Sequence, residues 1–359
     1  MLQDQYYMNL VLDLAKSTKT QTLPNPQVAS IIVNNSQVVG VGCHLRAGSH
    51  HAEIYALQQA GDYAKGATLY VNLEPCAHFG KTPPCVDAII NAGIKRVVVA
   101  TIDENPLVSG HGVQKLRDAG IEVLVGVLAQ QAYQLNEVFF HNIKTRQPYI
   151  TIKVGMSLDG KIATKSNISQ WITSAESRKD AHSYRISHSA ILVGVETVLK
   201  DDPSLTAHLV EDNQINPTRI ILDSKLRTPL NAKVITDQST PSWIVTCSDN
   251  KVLISRYQQQ GVTILSMSDM RIETILNRLH TEGIYSILVE GGERVYSSFI
   301  DAGMINQVIC YISPQLIGSA SAKHFFAGNG FSDLTSNLKL KLEHCSQLGD
   351  DIKLIYKKV

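Results

Sequence analysis

Apolar side chains recur at helical spacing over residues 5–16, with Tyr7, Leu10, Val11 and Leu14 on one side, and predict an amphipathic helix. Pro24-Asn25-Pro26 ends that pattern. Two β-rich runs, 28–33 and 38–43, flank Asn34-Asn35-Ser36 and predict a hairpin. Residues 51–61 then predict a helix with Ile54, Leu57 and Ala60 on one face and Gly61 as its stop. Strands over 67–73, 96–101 and 121–125 alternate with helices over 84–91, ended by Gly93, and 112–119, which implies an α/β layered domain. A helix over 129–141 closes this part. The polar connector 144–148, ending in Pro148, marks a boundary, giving domains 1–145 and 149–359. The pattern restarts with a strand over 149–154. Further strands are expected at 190–193, 219–222, 242–246, 262–265, 284–290 and 307–312, with helices near 177–187, 251–260, 271–280 and 293–302.

Composition narrows the class. A chain of 359 residues is long for one core and comfortable as two domains. Its 33 Lys plus Arg balance 32 Asp plus Glu, so no global basic excess draws it to a polyanion, and no nucleic-acid partner is expected. Residues 1–17 place Asp4, Asn9 and Asp13 among apolar positions, unlike a secretion signal, and no apolar run approaches membrane-spanning length. A cytoplasmic protein without a membrane partner is expected. Of six Cys, Cys43, Cys247, Cys310 and Cys345 lack metal-ligand spacing and are expected to be reduced, buried thiols.

The remaining two cysteines carry chemistry. His51-Ala52-Glu53 opens one predicted helix, and Pro75-Cys76 with Cys85 frames the next. A catalytic zinc takes three protein ligands and leaves a fourth tetrahedral position for water. His51, Cys76 and Cys85 match that count, and Glu53 projects from the same first turn as a proton shuttle. Zinc lowers the pKa of bound water to about 7, and a nearby carboxylate carries its proton to a departing amine. The expected chemistry is hydrolytic deamination, in keeping with the H-x-E…P-C-x-x-C pattern of zinc nucleobase deaminases. Here eight residues, Ala77-His78-Phe79-Gly80-Lys81-Thr82-Pro83-Pro84, separate the cysteines where that pattern has two.

With that longer spacing, the stretch from Leu73-Glu74-Pro75-Cys76 to Cys85 resembles the deaminase half of the bifunctional riboflavin biosynthesis deaminase/reductase family. Pro24-Asn25-Pro26, His44-Leu45-Arg46-Ala47-Gly48 and Asp103-Glu104-Asn105-Pro106-Leu107-Val108-Ser109-Gly110 resemble that family's substrate segments. The resemblance implies substrate contacts at Asn25, His44, Asp103 and Asn105. It also implies a cytidine-deaminase-like three-layer N-terminal domain, a dihydrofolate-reductase-like C-terminal domain, Zn2+ and NADPH as cofactors, a small-molecule pyrimidine ribosyl phosphate as substrate, and a homo-oligomer.

No G-x-G-x-x-G occurs, so motif alone reveals no dinucleotide site. Ser157-Leu158-Asp159-Gly160-Lys161, Ser169-Gln170-Trp171-Ile172, Thr197-Val198-Leu199-Lys200-Asp201-Asp202-Pro203 and Glu290-Gly291-Gly292 resemble the family's reductase half. A strand ending in Glu290, two glycines and then a helix bring backbone amides close to a phosphate. The resemblance implies NADPH contacts at Gly155, Trp171, Thr197, Asp201 and Ser224, and along Gly292, Glu293, Arg294, Val295, Tyr296, Ser297 and Ser298. It implies substrate contacts at Ser169, Arg185, Leu205 and Glu290, with Lys153 a neighbour at the reacting end. One departure matters: His208 stands where the family usually carries Arg toward the substrate phosphate. Arg is always charged and forks onto phosphate, whereas imidazole is charged only near or below about pH 6.5, so weaker, pH-dependent phosphate binding is expected. His111 and Phe79 are smaller, local departures.

Plainer readings exist for each feature. A lone His-x-Glu is usually a solvated first turn, Asn25, Asp103 and Asn105 beside Pro read as turn residues, Trp171 as core and Arg185 as a surface charge. A structural zinc would want a fourth ligand, for which His50 and His78 are candidates. Two other functions compete: a tRNA or nucleoside deaminase with an appended domain, which implies salt-dependent RNA binding and no NADPH site, and a non-catalytic zinc-stabilised binding protein, indifferent to Glu53→Gln.

Overall fold

The computed structural model describes residues 2–18, 21–79, 83–105, 109–209, 215–335 and 337–359. The chain divides into two compact units, Met1–Arg146 and Gln147–Val359.

The first unit runs α1 (Leu2–Lys16), β1 (Ala29–Asn34), β2 (Gln37–Cys43), α2 (Ala52–Ala60), β3 (Thr68–Leu73), α3 (Cys85–Asn91), β4 (Arg96–Thr101), α4 (His111–Asp118), β5 (Glu122–Val125), α5 (Ala129–Leu135) and α6 (Glu137–Thr145). Its sheet has the order β2-β1-β3-β4-β5. β1 pairs antiparallel with β2 and β3, and β3-β4-β5 are parallel. Side chains alternate across a strand, so β3 and β4 feed two cores. Leu69, Val71, Val97 and Val99 pack with Ala56, Val86, Ile89 and Leu116 of α2, α3 and α4. Tyr70, Val98 and Ala100 pack with Tyr7, Met8 and Val11 of α1 and Ala132 of α5. Cover on both faces is why these strands read as unbroken apolar runs, and it makes the unit three-layered.

α2 lies very close to β2. A Cβ on Gly42 would stand 2.0 Å from the Ala52 carbonyl oxygen, and one on Gly40 2.2 Å from that of Ala56. Only glycine permits that approach, and it fixes where the first turn of α2 stands. The single helix expected over 129–141 is broken at Asn136 (φ −110°, ψ 18°). The buried Asn136 amide instead accepts from Gln27 N at 2.8 Å and donates to Gln27 O at 3.0 Å. It satisfies backbone groups of the segment after Pro26 that no strand pairs.

The second unit runs β6 (Tyr149–Ser157), α7 (Ala175–Ile186), β7 (Ala190–Gly194), α8 (Val195–Asp201), β8 (Thr218–Leu222), α9 (Lys233–Thr236), β9 (Ser242–Thr246), α10 (Lys251–Gln259), β10 (Thr263–Ser266), α11 (Ile272–Thr281), β11 (Ser286–Val289), α12 (Glu293–Asp301), β12 (Gln307–Ser313), β13 (Leu340–Leu348) and β14 (Asp351–Lys358). Its sheet is ordered β10-β9-β8-β7-β11-β6-β12-β14-β13. The strands from β10 to β12 are parallel, and the β13/β14 hairpin adds antiparallel at one edge. From β7 the chain steps outward to β10, then returns to insert β11 between β7 and β6 before placing β12 on the far side of β6. Strand order therefore reverses around β11 and β6, and in such sheets ligands bind beyond the carboxyl ends of the strands at the reversal. Sequence periodicity did not find β13, β14, α8 or α9. β13 is exposed over most of its length, yet Leu338-Lys339-Leu340-Lys341-Leu342 alternates apolar and polar residues at its start, so a strand signal was present there.

All six cysteines are free thiols. Cys43 is half-buried and Cys310 buried, but Cys247 and Cys345 are exposed, contrary to the expectation of four buried thiols. Cys247 lies in the loop after β9 and Cys345 on the edge strand β13, where nothing covers them. No helix among the described residues is long and apolar enough to cross a membrane.

Candidate active sites

The first site sits at the carboxyl end of β3. His51 is the N-cap of α2, with extended backbone (φ −73°, ψ 161°). Cys85 is the first residue of α3, and Cys76 lies in the loop after β3. Their donor atoms all lie within 4.8 Å of one another. His51 Nδ1 is 3.1 Å from Cys85 Sγ and 3.5 Å from Cys76 Sγ. Ligand atoms on a tetrahedral zinc with Zn–N near 2.0–2.1 Å and Zn–S near 2.3 Å stand about 3.5–3.8 Å apart. The trio therefore fits zinc with only a slight spreading of its atoms. Among the described residues the cluster holds no fourth protein ligand, and neither His50 nor His78 joins it.

Cys85 N–H donates to Cys76 Sγ at 3.3 Å. Hydrogen bonding from the Cys85 thiol, opposed by burial and helped by His51 and the Cys85 amide, brings the Cys76 thiol down to about 4. Cys85 is pushed far up by the same hydrogen bond and by burial. His51 is raised, first by its hydrogen bond to Cys76. Glu53, in the first turn of α2, is 3 % exposed. Burial raises its carboxyl to about 7; the Cys76 charge adds to the rise and His51 opposes it. A carboxyl poised there can both take and return a proton at neutral pH.

Asn25 and His44 line up beside the trio. Asn25 Nδ2 is 2.9 Å from His44 Nε2, His44 Nδ1 is 3.1 Å from the His50 carbonyl, and the His44 and His51 ring centroids are 5.6 Å apart. His44 is held low by burial, so the neutral ring donates through Nδ1 and accepts through Nε2. Asp103 is buried and its carboxylate accepts from Asn105 N at 2.8 Å. Burial raises Asp103, with the Glu74 charge adding to it and the Asn105 N–H opposing. Gly80-Lys81-Thr82 and Pro106-Leu107-Val108, quoted above as motif segments, lie outside the described residues.

Glu74 is the residue to which sequence reasoning gave no role. Buried two positions before Cys76, its carboxylate accepts from Asp103 N (3.3 Å), Gly110 N (2.9 Å) and Val113 N (3.0 Å). It ties the segment bearing Asp103 and Asn105 to the cysteine loop. An acidic residue inside an otherwise apolar strand end was the available signal.

The second site occupies the reversal in the second sheet. Glu290 follows β11, and both its oxygens accept from Arg185 of α7, Nε and Nη2 each at 2.8 Å. Lys153 Nζ on β6 lies 3.8 Å from Glu290 Oε2. Burial alone would raise Glu290, but the Arg185 and Lys153 charges bring it to about 2. Lys153 is lowered, first by burial and further by Arg185, against Glu290. Arg185 Nη1 donates to Thr206 O at 2.6 Å, Thr206 Oγ1 is 3.1 Å from His208 Nδ1, and the His208 ring meets that of His182 at 4.7 Å. His182 is pushed down to about 3 by burial and by Arg185. Arg185, only 12 % exposed in its side chain, is no surface charge.

Gly292 is the N-cap of α12 and makes no side-chain cap. A Cβ on Gly291 would stand 2.8 Å from Gly194 N and Val193 Cα, so the ends of β11 and β7 meet closely. A Cβ on Gly292 would meet only Thr197 Oγ1, at 3.8 Å. That leaves an uncapped, glycine-lined helix start open to an anion, a cradle suited to a dinucleotide phosphate. Gly155 faces Thr173, since a Cβ there would lie 3.2 Å from Thr173 Cγ2. Trp171 is 67 % exposed under the Arg178 guanidinium, 4.3 Å from its ring centroid, which overturns the reading of this residue as core. Glu293, Arg294, Val295, Tyr296, Ser297 and Ser298 form the first turns of α12, and Tyr296 Oη donates to Lys153 O at 2.8 Å. Leu205 is buried with φ 55°. Ser169, reached by Lys200 Nζ at 3.5 Å, Asp201 at the end of α8 and Ser224 after β8 make no hydrogen bond or ion pair with the Lys153–Glu290–Arg185 group among the described residues.

The model of the "RibD C-terminal domain" matches residues 148–354, and that of the "Cytidine and deoxycytidylate deaminase zinc-binding region" matches residues 1–101. The riboflavin biosynthesis protein RibD of Aquifex aeolicus is 46 % identical over 355 residues, 99 % of this chain and 98 % of that protein. The chain belongs to the RibD family. It is thus a bifunctional enzyme of riboflavin biosynthesis, a zinc-type deaminase joined to a pyrimidine reductase that uses a nicotinamide cofactor. Among solved structures, RibD of Acinetobacter baumannii superposes with a TM-score of 0.89 at 39 % identity, covering 99 % of both chains. A Thermotoga maritima protein described as a diaminohydroxyphosphoribosylaminopyrimidine deaminase and 5-amino-6-(5-phosphoribosylamino)uracil reductase superposes at 0.87 and 35 % identity, again over 99 % of each. The RibD fold expected from the sequence, deaminase-like then reductase-like, is the one found.

Proposed function

We propose that residues 1–145 deaminate a diaminopyrimidinone ribosyl phosphate and that residues 149–359 then reduce the ribosyl group of the product with NADPH. The observation that carries the first step is the three-ligand cluster with Glu53 buried beside it. Bound by His51, Cys76 and Cys85, zinc supplies the Lewis acidity that makes water a nucleophile at neutral pH. Glu53 takes the attacking water's proton on a carboxylate oxygen and returns it to the amine nitrogen as the carbon–nitrogen bond breaks, so ammonia leaves and a carbonyl remains. His44, neutral and fixed by Asn25 and His50 O, offers its ring to the substrate; Asp103 and Asn105 hold it from the Glu74-anchored segment.

In the reductase half bound NADPH would supply hydride to the ribosyl C1′, while the C1′–O4′ bond opens and O4′ takes up a proton, leaving a ribityl chain. Gly155, Trp171, Thr197, Asp201, Ser224 and the turns from Gly292 to Ser298 hold the cofactor, the uncapped start of α12 taking a phosphate. Lys153 and Glu290 recognise the pyrimidine, Leu205 packs against it, and Ser169, Arg185 and His208 address the ribose phosphate. Arg185 aims Glu290 with two N–H groups and can turn remaining donors to the phosphate. The balanced charge supports a small-molecule substrate over nucleic acid, and we infer a cytoplasmic homo-oligomer.

Zinc-loaded protein given the diaminopyrimidinone phosphate should release ammonia and then consume NADPH absorbance. Glu53→Gln should cut ammonia release by about 10²–10⁴-fold while zinc content stays the same. Undiminished ammonia release from that variant would overturn the assignment. Tight, salt-sensitive RNA binding without NADPH consumption would favour a nucleic-acid deaminase instead.

A further inference from the structure

Behind the reductase site, buried Tyr311 and Lys353 meet the partly buried Asp180 in a second polar group to which the reaction gives no task. β6, β12 and β14 are neighbours, and their registers pair Gly155 with Tyr311 and Tyr311 with Lys353. Paired residues share a face, and Lys153, two positions before Gly155, shares it too. α7 covers this face: Ala181 packs with Ile309 and Tyr311, and Tyr184 packs beside them.

Charges alternate along the row. From Arg185 the chain of contacts runs to Glu290 and Lys153, whose ammonium stands 5.8 Å from the centroid of the Tyr311 ring. The Tyr311 hydroxyl donates to Asp180 Oδ2 at 2.5 Å, and Lys353 Nζ reaches the same oxygen at 2.6 Å. Lys353 also lies 4.8 Å over the Tyr184 ring. Tyr311 is 1 % exposed. A ring in that place needs no hydroxyl to fill space, and burying one demands a partner. Asp180 supplies it and fixes the ring's tilt. Among the described residues the opposite charge paired with Lys153 is that of Glu290, at 3.8 Å, and the negative face of the Tyr311 ring is its second constraint.

We propose that Tyr311, anchored by Asp180 and Lys353, is a positioning residue of the reductase half: its ring sets where the Lys153 ammonium stands and thereby sets affinity for the pyrimidine substrate. The proposal rests on the reading that Lys153 and Glu290 face the pyrimidine. A plain structural role, stapling β12 and β14 to α7, would move stability and leave substrate affinity alone.

The test is a double-mutant cycle in full-length, zinc-loaded protein. Reductase KM for the deaminated pyrimidine ribosyl phosphate is measured for Lys153→Met, Tyr311→Leu and the pair, with NADPH Kd by fluorescence and ammonia release as folding controls. Tyr311→Leu should raise the pyrimidine KM about tenfold, with NADPH Kd and ammonia release unchanged. In the Lys153→Met background it should add less than about twofold, because the two residues act through one contact. Tyr311→Phe, which keeps the ring, should show a smaller rise, and it carries the cycle with Asp180→Asn if Tyr311→Leu does not fold. If Lys153→Met leaves the pyrimidine KM untouched, the underlying reading of Lys153 fails. If Lys153→Met raises KM but the Tyr311 variants do not, or the two effects multiply independently, the positioning role is overturned.

Discussion

Glu290 shows how a single side chain is kept charged where burial alone would neutralise it. Its folded-state pKa, about 2, lies below the ordinary carboxyl value near 4.3, so its contribution to stability is complete above that value and drains away as pH falls toward 2. Thermal melts as a function of pH should show the acid limb between about pH 4 and 2 flattened in Glu290→Gln relative to the natural protein. An unchanged limb would mean that other carboxylates set it. At position 208, His208→Arg should tighten reductase binding of the phosphate, because guanidinium forks onto phosphate oxygens and imidazole does not. An unchanged KM for the deaminated substrate in that variant would discard the idea. The residues carrying the zinc chemistry were readable because ligand type and spacing are local facts. Glu74 and Tyr311 were not, since their partners lie 36 and 131 positions away in the chain and neither contact leaves a periodic trace.

Among elements, the seat of α2 on β2 is the most constrained. Gly42→Ala puts a methyl 2.0 Å from the Ala52 carbonyl, so the first turn of α2 must move, and His51 and Glu53 with it. The substitution should cost about 1–3 kcal/mol and lower both the zinc content of purified protein and its ammonia release. Metal analysis checks this, and full zinc occupancy would show that the turn adapts. The strands covered on both faces, β3, β4 and the parallel run of the second sheet, were legible as apolar runs bounded by turn residues. The β13/β14 hairpin also left a trace, the alternation Leu338-Lys339-Leu340-Lys341-Leu342 of a strand with one side in water, although it was not among the expected strands. Asn136 itself was missed. A long helical pattern concealed a residue whose amide is committed to Gln27 rather than to its own helix.

Among the described residues the two units have separate sheets and cores, and the candidate metal cluster lies in the first. Chelation should therefore abolish ammonia release and lower the melting transition of the first unit by several degrees, while NADPH binding persists. Calorimetry with and without chelator checks this. A loss of NADPH binding in parallel would reveal a dependence that separate cores do not supply. The inserted strand β11 has a consequence for biosynthesis. Its flanking neighbours β6 and β7 leave the ribosome long before it does, and until it arrives they have no shared partner and Glu290 is missing from the crevice. A nascent reductase half thus stays an open-seamed sheet through most of its own translation, and truncation anywhere before residue 286 should yield a fragment that aggregates along that seam instead of a weakened enzyme.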